Sequence, residues 1–169
     1  SYRESLAIDK VEPALLSEVG GSALKLFGRG FSVGDTAQCD VDGVQVQAVV
    51  QSDRMVTCIS PARAPGNTSL ALVTPYGRSS PVDVTYHSTI DVESVAPQQC
   101  PATGGCLLEM RGAFFPASWS CRFGGQTAPA SVIRNTELRC MAPPHAVASL
   151  RVEVSANGAD FVEVSDFEY

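Results

Sequence analysis

Lysine is nearly missing from this chain of 169 residues: there are two, and the formal net charge is −6 at pH 7. A surface that holds nucleic acid or an anionic bilayer needs clustered cations, so neither partner is expected. Long apolar runs are lacking too. None approaches the roughly 18 residues that a membrane-spanning helix requires, so this segment is expected to make no direct membrane contact. No stretch sustains a period of 3.6, which excludes a helical protein. The chain has no initiator Met and no secretory leader, so the expectation is a piece of a longer protein.

Catalytic and metal-binding signatures are equally sparse. The two histidines, His87 and His145, have no second histidine at ligand spacing, and both read as surface residues. There is no Gly-x-Ser-x-Gly elbow. Gly28-Arg29-Gly30 follows a short alternating strand and precedes no helix pattern, so it is not a phosphate loop. Asp40 and Asp42 lack a third carboxylate at the spacing of a calcium loop and read as a hairpin turn. The single tryptophan, Trp119, alternates with Cys121 and Phe123 and belongs to a core. Neither enzymatic activity nor a cofactor or metal is therefore expected.

What is present is an internal repeat. Pro13 and Pro97 are 84 positions apart, and so are Gly20 and Gly104, Gly21 and Gly105, Leu24 and Leu108, Leu26 and Met110, and Gly28 and Gly112. Cys39 and Cys58 are 19 apart, as are Cys121 and Cys140; prolines follow three residues later, at Pro61 and Pro143. Each copy closes on an aromatic residue, Tyr86 or Tyr169. Two tandem units follow, over residues 1–87 and 88–169. Apolar residues make up 44% of the chain and charged residues 18%, enough for each small unit to bury a core.

The six cysteines indicate the compartment. One matched pair per copy, Cys39 with Cys58 and Cys121 with Cys140, reads as a disulfide in each unit. Cys100 and Cys106, present only in the second copy, are placed for a local third bridge around Gly104-Gly105. The alternative is buried free thiols in a reducing compartment; the recurring spacing favours bridges and an oxidising one. Asn67-Thr68-Ser69 is an acceptor sequon for an N-linked glycan and points the same way.

The units read as all-β. Alternation at Leu24 and Leu26, Val44, Val46, Ala48 and Val50, and Leu70 and Leu72 marks half-buried strands, and the second copy repeats it. Turn signals stand at Asp42-Gly43, Gly124-Gly125, Pro75-Tyr76-Gly77 and Ala156-Asn157-Gly158, while Pro13 to Gly21 reads as a loop. About seven short strands per copy with such turns describe an antiparallel sandwich.

At this level the residues resemble a family. The second copy carries Val95-Ala96-Pro97, Gly104-Gly105, Gly112-Ala113-Phe114-Phe115, Cys121-Arg122-Phe123-Gly124, Leu138-Arg139-Cys140-Met141-Ala142-Pro143, Asn157-Gly158 and Phe167-Glu168-Tyr169. The first copy departs with Asp40-Val41-Asp42-Gly43 and Tyr76-Gly77. The pattern is similar to tandem IPT/TIG domains, which implies two immunoglobulin-like β-sandwiches as in plexin-, Met- and fibrocystin-like surface proteins.

That resemblance leaves two functional expectations. The first is an extracellular recognition and spacer module of a cell-surface adhesion or receptor-type protein. Its partner would be a protein, on another cell or in a neighbouring domain of the same chain. The second is an intracellular DNA-binding or dimerisation module of a transcription factor, which the acidic balance disfavours. In the first case the contact is expected at loops of a sandwich end, through Arg29, Tyr76 and Arg78, because Tyr and Arg anchor interfaces most often. Phe31 is expected to point inward, as the family's matching aromatic does. Only Tyr86 to Thr89 separates the copies, so Leu15, Leu16, Phe114 and Phe115 are expected at their junction.

Overall fold

A computed structural model describes residues 5–169. Every regular element among the described residues is a strand, and the chain divides into two compact units, Ser1–Thr89 and Ile90–Tyr169. The division falls two residues beyond the expected break.

The first unit holds β1 (Ala7–Glu12), β2 (Leu15–Ser17), β3 (Ala23–Arg29), β4 (Ala37–Val41), β5 (Val44–Val50), β6 (Met55–Ile59), β7 (Gly66–Thr74), β8 (Gly77–Arg78) and β9 (Val82–His87). They join in the order β1-β3-β6-β5-β4-β7-β9-β2, with β8 on β7. The path folds into two layers at β5. That strand pairs with β4 from Val44 to Ala48, then with β6 from Ala48 to Val50. One layer is thus β1-β3-β6 and the other β4-β7-β9-β2, with the two inner faces forming the core. In β3 burial alternates strictly: Leu24 and Leu26 are fully buried while Ala23, Lys25 and Arg29 are exposed. Cys39 on β4 and Cys58 on β6 bond across the layers. By chain-entropy reasoning a loop of this length stabilises the fold by about 3 kcal/mol.

The second unit repeats this plan with β10 (Asp91–Ala96), β11 (Leu107–Ala113), β12 (Ser120–Phe123), β13 (Gln126–Arg134), β14 (Glu137–Met141), β15 (Ser149–Ser155) and β16 (Val162–Glu168). Their order is β10-β11-β14-β13-β12-β15-β16, and β13 is the strand that passes between layers. Cys121–Cys140 spans its core, and Cys100–Cys106 closes the loop before β11. Trp119 is buried, as its alternation indicates.

The repeated residues have repeated causes. A Cβ on Gly28 would collide with the carbonyl oxygen of Ala7 in β1, and one on Gly112 with that of Asp91 in β10. At Gly20 and Gly104, φ is 75° and 74°, and a Cβ would stand 2.7 Å from Ala62 N or 2.6 Å from Pro144 N. Only glycine fits these four places. The closing tyrosines anchor the repeated prolines: Tyr86 Oη donates to Pro61 O at 2.9 Å and Tyr169 Oη to Pro143 O at 2.6 Å. Burial pushes both phenols up from their ordinary pKa.

Two readings are corrected. Leu15–Ser17 is not loop but a strand, pairing in parallel with Thr85, Tyr86 and His87 of β9. This pairing also overturns the surface reading of His87, which is buried beside Ser17, its Nδ1 at 2.7 Å from Ser88 O. In the second unit the same contact shrinks to one parallel bridge, Gln99 with Glu168. With β2 and the two-residue β8, the first unit has nine strands among the described residues where about seven were expected, and the second has seven.

Candidate recognition tip

Register decides which loops of the first unit share an end. Ala7 pairs with Arg29, Phe27 with Met55, and Gln38 with Val73. The start of β1, the crossover of residues 30–36, the β5–β6 loop of residues 51–54 and the β7–β8 turn therefore lie together. The chain leaves the unit at the opposite end, where β9 runs out beside β2.

Local hydrogen bonds shape this tip. Gly28 N donates to Arg54 O at 3.0 Å, tying β3 to the β5–β6 loop. Asp35 N donates to Ser32 O at 3.0 Å and turns the crossover. Phe31 points inward and is buried, whereas Val33, just before Gly34, is 71% exposed. In the β7–β8 turn Thr74 Oγ1 accepts from Tyr76 N at 3.2 Å, and Tyr76 stands 66% exposed. Ser79 fixes the return strand, its Oγ accepting from Leu72 N and its own N–H donating to Leu72 O, both at 2.9 Å.

The three proposed contact residues are placed unequally. Arg29 is exposed at the end of β3 and Tyr76 at the turn. Arg78 is engaged within the unit: its Nη1 donates to Asp40 Oδ2 at 3.0 Å. Asp40 lies on the outer face of β4 opposite Ala71, is almost fully buried, and also accepts from Gly43 N at 3.0 Å. The Arg78 guanidinium holds the Asp40 carboxyl below the usual carboxylate range against the opposing effect of burial. The sequence reading expected the loop Gly28 to Asp35 here, without singling out Val33, and missed Arg54. The signal for Arg54 was the register of the flanking strands, not residue type.

The residues expected at a junction are buried or half-buried within their own units. Leu16 is fully buried in the first core and Leu15 partly buried. Phe114 is buried edge-on to Trp119 at 5.4 Å between ring centroids. Phe115 tilts against the same indole at 5.0 Å, and its carbonyl accepts from Trp119 Nε1 at 2.8 Å.

In the second unit the loop closed by Cys100–Cys106 is held by its neighbours. Gly104 N donates to Pro101 O at 2.9 Å and His145 N to Ala102 O at 3.0 Å, while the half-buried His145 ring stacks on Tyr169. A groove of about 460 Å³ lies between Gln98 and Gln99 on one side and Leu150, Arg151, Asp166 and Glu168 on the other. Among the described residues no three His, Cys, Asp or Glu side chains gather to hold a metal ion.

The family model for the IPT/TIG domain matches twice, over residues 6–86 and 91–169. The chain belongs to the IPT/TIG family. No curated protein sequence matches it. Among solved structures it is similar to the full extracellular region of plexin A4. One such structure, with domains 1 to 8, is 17% identical, with 96% of this chain and 18% of that chain covered at a TM-score of 0.53. Another, with domains 1 to 10, is 16% identical, with 96% and 15% covered at 0.58. At these identities the likeness is one of fold, and this IPT/TIG pair spans less than a fifth of those plexin chains.

Proposed function

We propose that this IPT/TIG pair is an extracellular recognition and spacer segment of a cell-surface adhesion or receptor-type protein, not an enzyme. The observation that carries the reading is covalent. All six cysteines are paired in three disulfides, two across sandwich cores and one closing a surface loop. Such bonds persist in secretory and extracellular compartments and are rare where glutathione keeps thiols reduced. The same bonds weigh against the intracellular transcription-factor alternative, as does the acidic charge.

Within this reading, a protein partner is met at the tip of the first unit, through Arg29 and Tyr76 with Val33 beside them. Loops carried on a rigid sandwich suit this task. Arg78 belongs to the same surface but also has a structural role, so it is a poor probe of contact. The test is substitution of Arg29 and Tyr76 by alanine in the full-length protein. Loss of partner or cell binding with disulfides and secretion intact is expected; undiminished binding would remove this tip as the contact surface.

A further inference from the structure

The structure assigns Asn67 as the attachment point of an N-linked glycan that covers one end of the outer face of β7 and β9. This inference rests on the extracellular reading above. Of the three asparagines, Asn67 alone is followed by the required hydroxyl residue two positions on, Ser69. The fold adds what the motif cannot supply. Leu70 and Leu72 of β7 point into the core, so Asn67 and Ser69 share the outer face by strand alternation. Asn67 is exposed; it has β9 on one side only, because β4 joins β7 from Leu70 onward. Its Oδ1 accepts from Thr85 Oγ1 at 2.9 Å, and its Nδ2 makes no hydrogen bond among the described residues. The cross-strand neighbours of Asn67 and Ser69 are Thr85 and Asp83, exposed and polar. A hydrated sugar against this face buries no apolar group.

The reaction takes an oligosaccharide carried on a lipid pyrophosphate. The Asn67 amide nitrogen attacks the anomeric carbon of the first sugar; the N–C bond forms as the C–O bond to pyrophosphate breaks. The amide proton passes to base, and the lipid pyrophosphate departs. Seven residue steps of about 3.3 Å put Asn67 roughly 23 Å from Thr74, so the glycan leaves the Tyr76 turn uncovered. It withdraws the end of the β7–β9 face from protein contact, and so narrows where a partner can bind.

The test is intact-mass analysis of the chain secreted from animal cells behind a leader peptide, before and after peptide-N-glycosidase. One glycan is expected, released with conversion of Asn67 to Asp, and absent from both Asn67→Gln and Ser69→Ala. The two variants remove the glycan by different changes, so poor secretion of one does not block the result. Secreted, fully disulfide-bonded chain with an unmodified Asn67 would overturn the proposal and leave the extracellular reading standing. Free core thiols in protein taken from its own cells would overturn both.

Discussion

Arg78 and Phe161 stand 83 residues apart, at matching positions of the two units, and each lies over the outward residue of a central strand. Arg78 pairs with Asp40 at 3.0 Å, and Phe161 has the guanidinium carbon of Arg122 at 4.0 Å from its ring centroid. Arg122 in turn makes a two-pronged bond to Glu153, directly opposite on β15, at 3.1 and 2.7 Å. One copy thus covers a carboxylate with a guanidinium, and the other covers a guanidinium with an aromatic face.

The first pair gives a pH-dependent prediction. Because the Asp40 pKa is depressed in the fold, its contribution is complete above the ordinary carboxylate value, about 4, and is lost as pH falls through the folded value. Arg78→Ala should cost about 1 kcal/mol at pH 7, since Arg78 is more than half exposed. Urea unfolding of both proteins should show that gap closing below about pH 4.

The second pair should behave differently. Phe161→Ala removes a cation–π contact and some apolar cover, for about 1–2 kcal/mol. Phe161→Lys places like charge beside Arg122 and should cost more than Phe161→Ala. Equal losses for both substitutions in thermal unfolding would deny the charge contact its part.

The glycines offer a steric test. Gly28→Ala and Gly112→Ala force a methyl group against a neighbouring strand's carbonyl and should each cost about 3 kcal/mol. Gly21, with φ 87° and open space around its added Cβ, should lose only the backbone strain of about 1–2 kcal/mol on the same change.

These residues also mark how far the sequence could be read. The paired glycines were legible because their causes are steric, repeat at a fixed offset, and leave no substitute; the closing tyrosines and the prolines they bond were legible because that contact repeats too. The core cysteines were legible for a related reason: strand alternation turns both inward. The Arg78–Asp40 pair was hidden because it joins positions 38 apart and depends on β8 reaching back across β7. The strand at Leu15–Ser17 was hidden because Pro13 and Gly20-Gly21 signal a break, while its pairing is supplied by β9, nearly the whole unit away. His87 followed the same error, its burial being a consequence of that parallel contact. Arg54 carries no motif; only register brings it to the tip.

The three disulfides should separate under mild reductant. Cys39 and Cys121 are fully buried, whereas Cys106 is partly exposed on a loop. Thiolate attack needs access to sulfur, so Cys100 and Cys106 should be alkylated first and the core pairs only on unfolding. Timed alkylation with peptide mapping reads the order, and early labelling of Cys58 or Cys140 would contradict it.

The most direct measurement is thiol status in the protein as its own cells make it. Full-length protein, trapped with alkylating reagent before lysis and mapped without reduction, is predicted to show no free thiol among these six cysteines. It should yield the linkages Cys39–Cys58, Cys100–Cys106 and Cys121–Cys140. Alkylated Cys39, Cys58, Cys121 and Cys140 in folded protein would contradict the extracellular account and return the chain to a reducing compartment.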